Sequence, residues 1–366
     1  MIIGVPRERK SGEGRIALTP DWTSELVRDG HQVLIETGAG VLSGFTDDEF
    51  VAAGATIAAS LQEVWGRAEL LVKVKEPAPE EIPLFRDGLA LFCFLHPAAQ
   101  EQITRELMAR GVTALDYDLL MLDDGRLPIL EPMSVIAGKL AVQCGAYALQ
   151  CDRGGRGVLL GGAPGVAPAE VLVLGAGSAG ANAAEVAIGM GASVTIMDIN
   201  SSRLQSFSRP PFSARTVHST PRALAREIER ADLVVGAVLV PGARAPRLIS
   251  RNQLTKMKRG SVLVDISIDQ GGVAETSRPT TLAEPTYVEE GVVHYCVPNM
   301  PAMVPHTSTE ALTMATGRWL KQLANEGIEA NIRKSAALRS SLITYQGKLT
   351  HPVVGEALGI EATPPK

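Results

Sequence analysis

An α/β protein of two domains, each a mostly parallel sheet flanked by helices, is what this sequence predicts, with the second domain inserted into a discontinuous first one. Three observations carry that expectation. Apolar strand-like runs alternate with helical patterns from the first residues onward. Val171-Leu172-Val173-Leu174 leads directly into Gly175-Ala176-Gly177-Ser178-Ala179-Gly180, then an alanine-rich run to Met190 and a second strand over 194–198. The chain of 366 residues exceeds one ordinary hydrophobic core and suits two domains.

Composition narrows the class further. With 45% hydrophobic and 20% charged residues, the chain reads as globular, and a formal charge of −5 gives no general attraction to nucleic acid or an anionic membrane. The apolar run Met1 to Val5 is too short for a signal peptide. No apolar stretch reaches the roughly 20 residues of a membrane span, so a cytoplasmic location is expected. Cys93, Cys144, Cys151 and Cys296 include no C-x-x-C pair, which points to buried thiols rather than disulfides or zinc. The histidines lack ligand spacing such as H-x-x-x-H, and no metal is expected.

Residues 1–128 form the first part of the outer domain. Strands are expected at 2–5, 32–36, 70–75, 89–95 and 112–116, and helices from Thr19-Pro20 to Gly30, at 47–53 and at 98–110. Thr19 is a natural cap, Pro20 fits the first helical position, and Gly30 ends the helix. The turn Gly38-Ala39-Gly40 also follows a strand, but no long apolar helix comes after it.

Residues 129–304 form the inserted domain. A long apolar helix over 133–151 connects to it, and a glycine-rich loop from Gly154 to Gly165 precedes the first strand. In the unit around Gly175 each residue type answers a need. Gly175 lets the chain turn out of the strand, Gly177 lets backbone N–H groups approach a pyrophosphate, and Gly180 lets the helix pack on the sheet. The N–H groups of Ser178 and Ala179 at the helix start, with the partial positive charge there, suit an anion. Asp198, ending the second strand, can accept from both ribose hydroxyls and would repel a 2′-phosphate, which favours NAD over NADP. Arg203 nearby weakens that preference a little. The domain is thus expected to be a doubly wound, NAD-binding Rossmann-like parallel sheet, with a further helix at 221–230 and strands at 232–237, 261–265 and 292–297.

Residues 305–366 offer one clear helix, 308–323, and little else that could form a core. They are expected to pack back on the first part as the rest of a Rossmann-like substrate domain.

Candidate chemistry lies outside the glycine motif. Arg15 can clamp a carboxylate with two parallel hydrogen bonds, or form an exposed salt bridge. Lys73 and Lys75 alternate along a strand and share one face. The pattern leaves open whether one enters a cleft or both are solvated. His96 follows the apolar run 89–95 at a strand end, where α/β folds present functional side chains, and its ordinary pKa suits a proton shuttle. A neighbouring lysine would help keep it neutral. Asp269 falls in a loop beyond the strand 261–265, while Asp265 reads as a structural turn residue.

Several strings then coincide: Gly4-Val5-Pro6-x-Glu8, Arg15-Ile16-Ala17-Leu18-Thr19-Pro20, Lys73-Val74-Lys75-Glu76-Pro77, Phe94-Leu95-His96, Gly155-Arg156-Gly157-Val158-Leu159, Gly236-Ala237-Val238-Leu239-Val240-Pro241-Gly242, Val264-Asp265-Ile266-Ser267-Ile268-Asp269-Gln270-Gly271-Gly272 and Asn299-Met300-Pro301-Ala302. Together they resemble the L-alanine dehydrogenase family, whose fold is shared with the NAD-binding subunit of proton-translocating transhydrogenase. The resemblance implies reversible NAD-dependent oxidative deamination of L-alanine to pyruvate and ammonium, in a homo-oligomer, commonly a hexamer. It places Arg15 and Lys75 on the small amino-acid or 2-oxo-acid substrate, His96 as acid/base, and Asp269 at the reacting carbon. Around the dinucleotide it places Ser134, Gly177, Asp198, Arg203, Ser219, Val238, Leu239, Ile266 and Asn299.

The chain departs from the family pattern at Val135, where glutamate is usual, at Lys139 for arginine, at Ser267 and Pro298 for alanine, at His306, and through the atypical segment 207–216 with Arg209-Pro210-Pro211. These departures bear on the substrate more than on the reaction type and leave a dehydrogenase or imine reductase for another small amino or 2-oxo acid as a second reading; the third, from a different class, is a non-catalytic dinucleotide-binding protein.

Overall fold

The computed structural model describes residues 1–239 and 245–365. Val240, Pro241 and Gly242 of the string beginning at Gly236 lie outside the described residues, as does Lys366 of the tail. By its contacts the chain divides into two compact units, Met1–Met133 with Ala302–Lys366, and Ser134–Pro301. Among the described residues no helix is long and apolar enough to cross a membrane.

The first unit is built on an eight-stranded sheet. Its strands are β1 (Ile2–Val5), β2 (Gln32–Glu36), β3 (Thr56–Ala58), β4 (Leu70–Val72), β5 (Ala90–Cys93) and β6 (Thr113–Asp116), joined by β14 (Leu342–Tyr345) and β15 (Lys348–Leu349) from the tail. The order is β15-β14-β6-β5-β4-β1-β2-β3, with β3 to β6 in parallel register and the two tail strands antiparallel. The first helix, Pro20–Arg28, starts as its sequence dictates: Thr19 accepts the Trp22 N–H and Pro20 fills the first turn.

Two expectations change here. The strand expected over 70–75 has regular pairing only to Val72, although Lys73 N–H still donates to the Phe92 carbonyl at 3.2 Å. The tail also holds more than one helix. Ile343 and Leu349 are fully buried beside Trp65, Leu91 and Leu107, each burial stabilising by about 1.5–3 kcal/mol, and Leu342 is buried as well. Strands of four and two residues carry too short a pattern to stand out in sequence.

The second unit is a seven-stranded sheet of β7 (Glu170–Leu174), β8 (Ser193–Asp198), β9 (Arg215–His218), β10 (Leu233–Gly236), β11 (Val262–Asp265), β12 (Thr286–Glu289) and β13 (Val292–Tyr295), in the order β12-β13-β11-β10-β7-β8-β9. All pairings are parallel except β12 with β13. The chain winds one way from β7 through β8 to β9 and the other way from β7 to β10, a doubly wound sheet whose switch point lies between β7 and β10. Strands β9 and β12 escape the sequence pattern because both lie at sheet edges with half-exposed side chains.

Candidate active site

In the first unit the carboxyl ends of β1, β4, β5 and β6 share one edge of the sheet, and the ionisable residues predicted or overlooked in the sequence gather there. Glu8, just beyond β1, accepts the Val74 N–H at 2.6 Å and the Lys75 N–H at 3.4 Å. Lys73, fully buried, sets its ammonium 3.3 Å from Glu8 and 3.0 Å from Glu81, and Glu81 also accepts the Ala78 N–H at 2.6 Å. Burial works against the Lys73 charge, but the two carboxylates raise its pKa above the ordinary lysine value; burial raises that of Glu8. Lys73 therefore ties down the loop from which Lys75 projects. The reading of two solvated lysines does not hold, since both are buried.

Lys75 approaches His96, with Nζ 3.3 Å from Nε2, and lies 5.8 Å from the centre of the Phe94 ring. On the other side of the imidazole, Nδ1 is 2.7 Å from Asp118 Oδ2. The carboxylate fixes the proton on Nδ1 of the neutral ring, so Nε2 is left as the acceptor. His96 has φ of +48°, a left-handed conformation uncommon for a side-chain-bearing residue. Burial pulls the ring's pKa down and Lys75 pulls the same way, but Asp118 outweighs them and the net shift is upward. The lysine alone does not decide the protonation of His96. Asp118 was missed in sequence, although Asp116-Tyr117-Asp118 ends a legible strand.

Arg15 is buried rather than exposed, with Nε 2.7 Å and Nη2 2.5 Å from the two oxygens of Glu13. The tail helix Pro305–Glu326 supports this loop: Thr309 Oγ1 accepts the Ile16 N–H at 3.1 Å, and Ser43 Oγ lies 2.8 Å from the same hydroxyl while donating to the Gly14 carbonyl at 2.7 Å. His306 joins the same support, stacked on Phe45 and 2.6 Å from the Ser43 carbonyl. The second glycine turn has a structural explanation, because Asp47 accepts the Gly38 N–H at 2.9 Å.

In the second unit, Gly175 has φ of +97°, and a Cβ there would lie 2.4 Å from the Ala237 carbonyl oxygen. At Gly180 a Cβ would lie 1.8 Å from the Gly175 carbonyl, whereas at Gly177 it would meet nothing within 4 Å. The loop is closely packed below and open where Gly177 points. The helix Ser178–Gly189 begins at Gly177 without a side-chain cap, which suits an anion at its first turn. Asp198 is buried and accepts the Ala176 and Asn200 N–H groups, each at 2.7 Å. Each oxygen keeps acceptor capacity beyond those bonds. Arg203 stands 3.8 Å from Asp198, and the Ser219 N–H donates to the Asp198 carbonyl at 3.0 Å. This cradle fits a dinucleotide.

The remaining candidates follow the ends of β10, β11 and β13, apart from Ser134 on the helix Leu130–Ala148. Ser267 clamps Val238 twice, its hydroxyl accepting the N–H at 3.0 Å and donating to the carbonyl at 2.8 Å; the adjacent Leu239 is exposed. Ile266 opens the short turn that contains Asp269. Asn299, with φ of +57°, donates its N–H to Asp269 Oδ2 at 3.3 Å. Asp265 is buried and accepts from Ser267 N–H, Val273 N–H and Ser277 Oγ, the structural role its position suggested. Val135 is half-buried and Lys139 exposed; nothing in the structure explains either departure.

Residues 4–137 match the alanine dehydrogenase/PNT N-terminal domain, and residues 141–352 match the alanine dehydrogenase/PNT C-terminal domain. The chain belongs to the alanine dehydrogenase/PNT family. It is 49% identical over 362 residues to an alanine dehydrogenase of Halomonas elongata, covering 99% of this chain and 98% of that protein. A solved L-alanine dehydrogenase superposes with a TM-score of 0.94 at 45% identity, covering 98% of this chain and 99% of the other. A transhydrogenase structure from Sinorhizobium meliloti shares the fold, with a TM-score of 0.81 at 24% identity over 96% of this chain and 99% of that one.

Proposed function

We propose that this chain is an NAD-dependent alanine dehydrogenase, interconverting L-alanine and water with pyruvate and ammonium. The observation that carries the reading is the line Lys75–His96–Asp118 at one edge of the first sheet, a cation, an imidazole and an orienting carboxylate in hydrogen-bond sequence. A protein that only bound dinucleotide would not need it. In this reading the unit Met1–Met133 with Ala302–Lys366 is the substrate domain, and Ser134–Pro301 is the dinucleotide domain.

Bound in the glycine cradle, the nicotinamide dinucleotide supplies the two-electron oxidation of the amine to an imine. Gly175, Gly177, Ser178, Ala179 and Gly180 hold its pyrophosphate, Asp198 its ribose, and Ser134, Arg203, Ser219, Val238, Leu239, Ile266 and Asn299 complete its surroundings. Arg15, kept rigid by Glu13, provides the positive charge for the substrate carboxylate. His96 takes a proton at Nε2 from the water that adds to the imine carbon, Asp118 stabilises the imidazolium that results, and the imidazolium returns that proton to the nitrogen as the C–N bond breaks and ammonia leaves. Lys75 polarises the carbonyl oxygen that forms, and Asp269 offers the second polar group at the reacting carbon. The same reading makes the chain a subunit of a cytoplasmic homo-oligomer.

The direct test is NADH-dependent amination of pyruvate against bulkier 2-oxo acids. Pyruvate is expected to be the best substrate; turnover of another oxo acid but not pyruvate reassigns the substrate, and NADH binding with no turnover removes the enzymatic reading. Asp198→Ala is expected to weaken NAD binding and relax discrimination against NADP, because it removes both the ribose acceptor and the charge opposing a 2′-phosphate. An unchanged cofactor preference would place the ribose elsewhere.

The pH profile follows from Asp118. Deamination uses the neutral ring, so the acid limb of kcat/KM should fall above the ordinary histidine value of about 6.5, in the direction of the His96 shift. Asp118→Asn removes the charge that favours imidazolium, and the limb is expected to move to lower pH. If it stays in place, His96 is not the group that titrates.

A further inference from the structure

Beyond the residues that touch substrate in this reading, one buried acid is arranged around the His96–Asp118 pair without being part of it. Asp116 ends β6, directly opposite Cys93 at the end of β5. Its carboxyl oxygen Oδ1 accepts the N–H of Leu95, the residue before His96, at 3.1 Å, and the N–H of Asp118, also at 3.1 Å. Its own N–H donates to the Ser341 carbonyl at 2.7 Å, which anchors it from the tail side. The residue is 1% exposed, and Oδ2 is buried with no hydrogen-bond partner among the described residues.

We infer that Asp116 is a positioning residue for the His96–Asp118 pair, holding with one carboxyl oxygen both the backbone that delivers the imidazole and the backbone of the carboxylate that orients it. The two elements come from different strands, and one oxygen shared between their N–H groups fixes their relative register. This matters because His96 stands in a left-handed conformation, which the surrounding structure must impose.

Asp116 also joins the pair electrostatically. Around it are Asp118 on its own turn, His96 and Cys93 from the adjoining strand, and Lys73 and Glu8 beyond Cys93. Burial, reinforced by the Asp118 charge, pushes the Asp116 carboxyl up to about 7, against the opposing effects of His96 and of the two N–H donors. Cys93 and Tyr117, raised by burial, stay neutral there. When Asp116 does ionise, its charge raises the proton affinity of His96.

The experiment compares the full-length protein with Asp116→Asn and Asp116→Ala. Asparagine keeps the Oδ1 acceptor and loses the ionisation; alanine loses both. In an NMR titration of histidine-labelled protein, with the His96 signal identified by its loss in His96→Gln, the His96 pKa of Asp116→Asn is expected to fall by about half a unit or more. Asp116→Ala is expected to lower kcat about tenfold through displacement of His96, leave the KM for NADH unmoved, and be largely rescued by Asp116→Asn. An alanine variant as active as the asparagine one overturns the inference, as does an Asp116→Ala protein whose His96 signal titrates as it does in Asp116→Asn. The kinetic comparison rests on the alanine dehydrogenase reading, and the titration does not. Absence of wild-type turnover would defeat that reading alone, with the NMR result still deciding the role of Asp116.

Discussion

Replacing His96 by alanine is expected to lower turnover with alanine by about 100-fold or more while leaving NADH binding nearly intact. The loss is large because His96 is the group whose Nε2 is unprotonated when the ring is neutral and already oriented by Asp118. NADH binding is spared because the glycine loop and Asp198 belong to the other sheet. Steady-state kinetics with a fluorescence titration of NADH separate the two quantities. Retained turnover would take the acid/base role away from His96. A loss of both turnover and NADH affinity would mean that the substitution disturbs the fold.

Lys73→Met is expected to cost stability instead. Removing the ammonium leaves Glu8 and Glu81 buried in each other's vicinity without their shared counter-ion, and breaking a buried pair in this way typically costs about 3–5 kcal/mol. For a unit of this size the corresponding drop in Tm is roughly 6 to 20 °C. The sign of its pH dependence is a second check. Glu8, raised by burial, takes up a proton more readily once Lys73 is gone, so the deficit should shrink as pH falls toward the carboxylate range and grow at neutral pH. A deficit equal at all pH values would assign the loss to packing. A change below about 2 °C would show that the network contributes little.

These two residues show where sequence reasoning reached and where it stopped. His96 was legible as the last residue of an apolar run, since a strand end in an α/β fold is a place where side chains reach a site. Its partner Asp118 was not, because it lies in the turn after a strand that neighbours β5 only in the folded sheet. The same applies to the lysines. Alternation showed that Lys73 and Lys75 share a face, but only the meeting of β1, the loop after β4 and Glu81 makes one a buried anchor and brings the other to the imidazole.

The unit from Val171 to Asp198 was readable in full from local pattern. A tight turn needs glycine, a helix packed on a sheet needs small residues, and both requirements act over a few consecutive positions. The strands of the tail are illegible for the opposite reason. Leu342 and Thr344 pair with a strand more than two hundred residues earlier, and four residues hold too little periodicity to announce themselves. Asp116 is the clearest case: in the chain it is one acid among several, its bond to the Asp118 N–H is a local turn, and its bond to the Leu95 N–H exists only because β5 and β6 lie side by side. Chemical type and strand order are written locally. Partnership, burial and the resulting charge state depend on contacts between segments far apart in the chain, and those the fold alone decides.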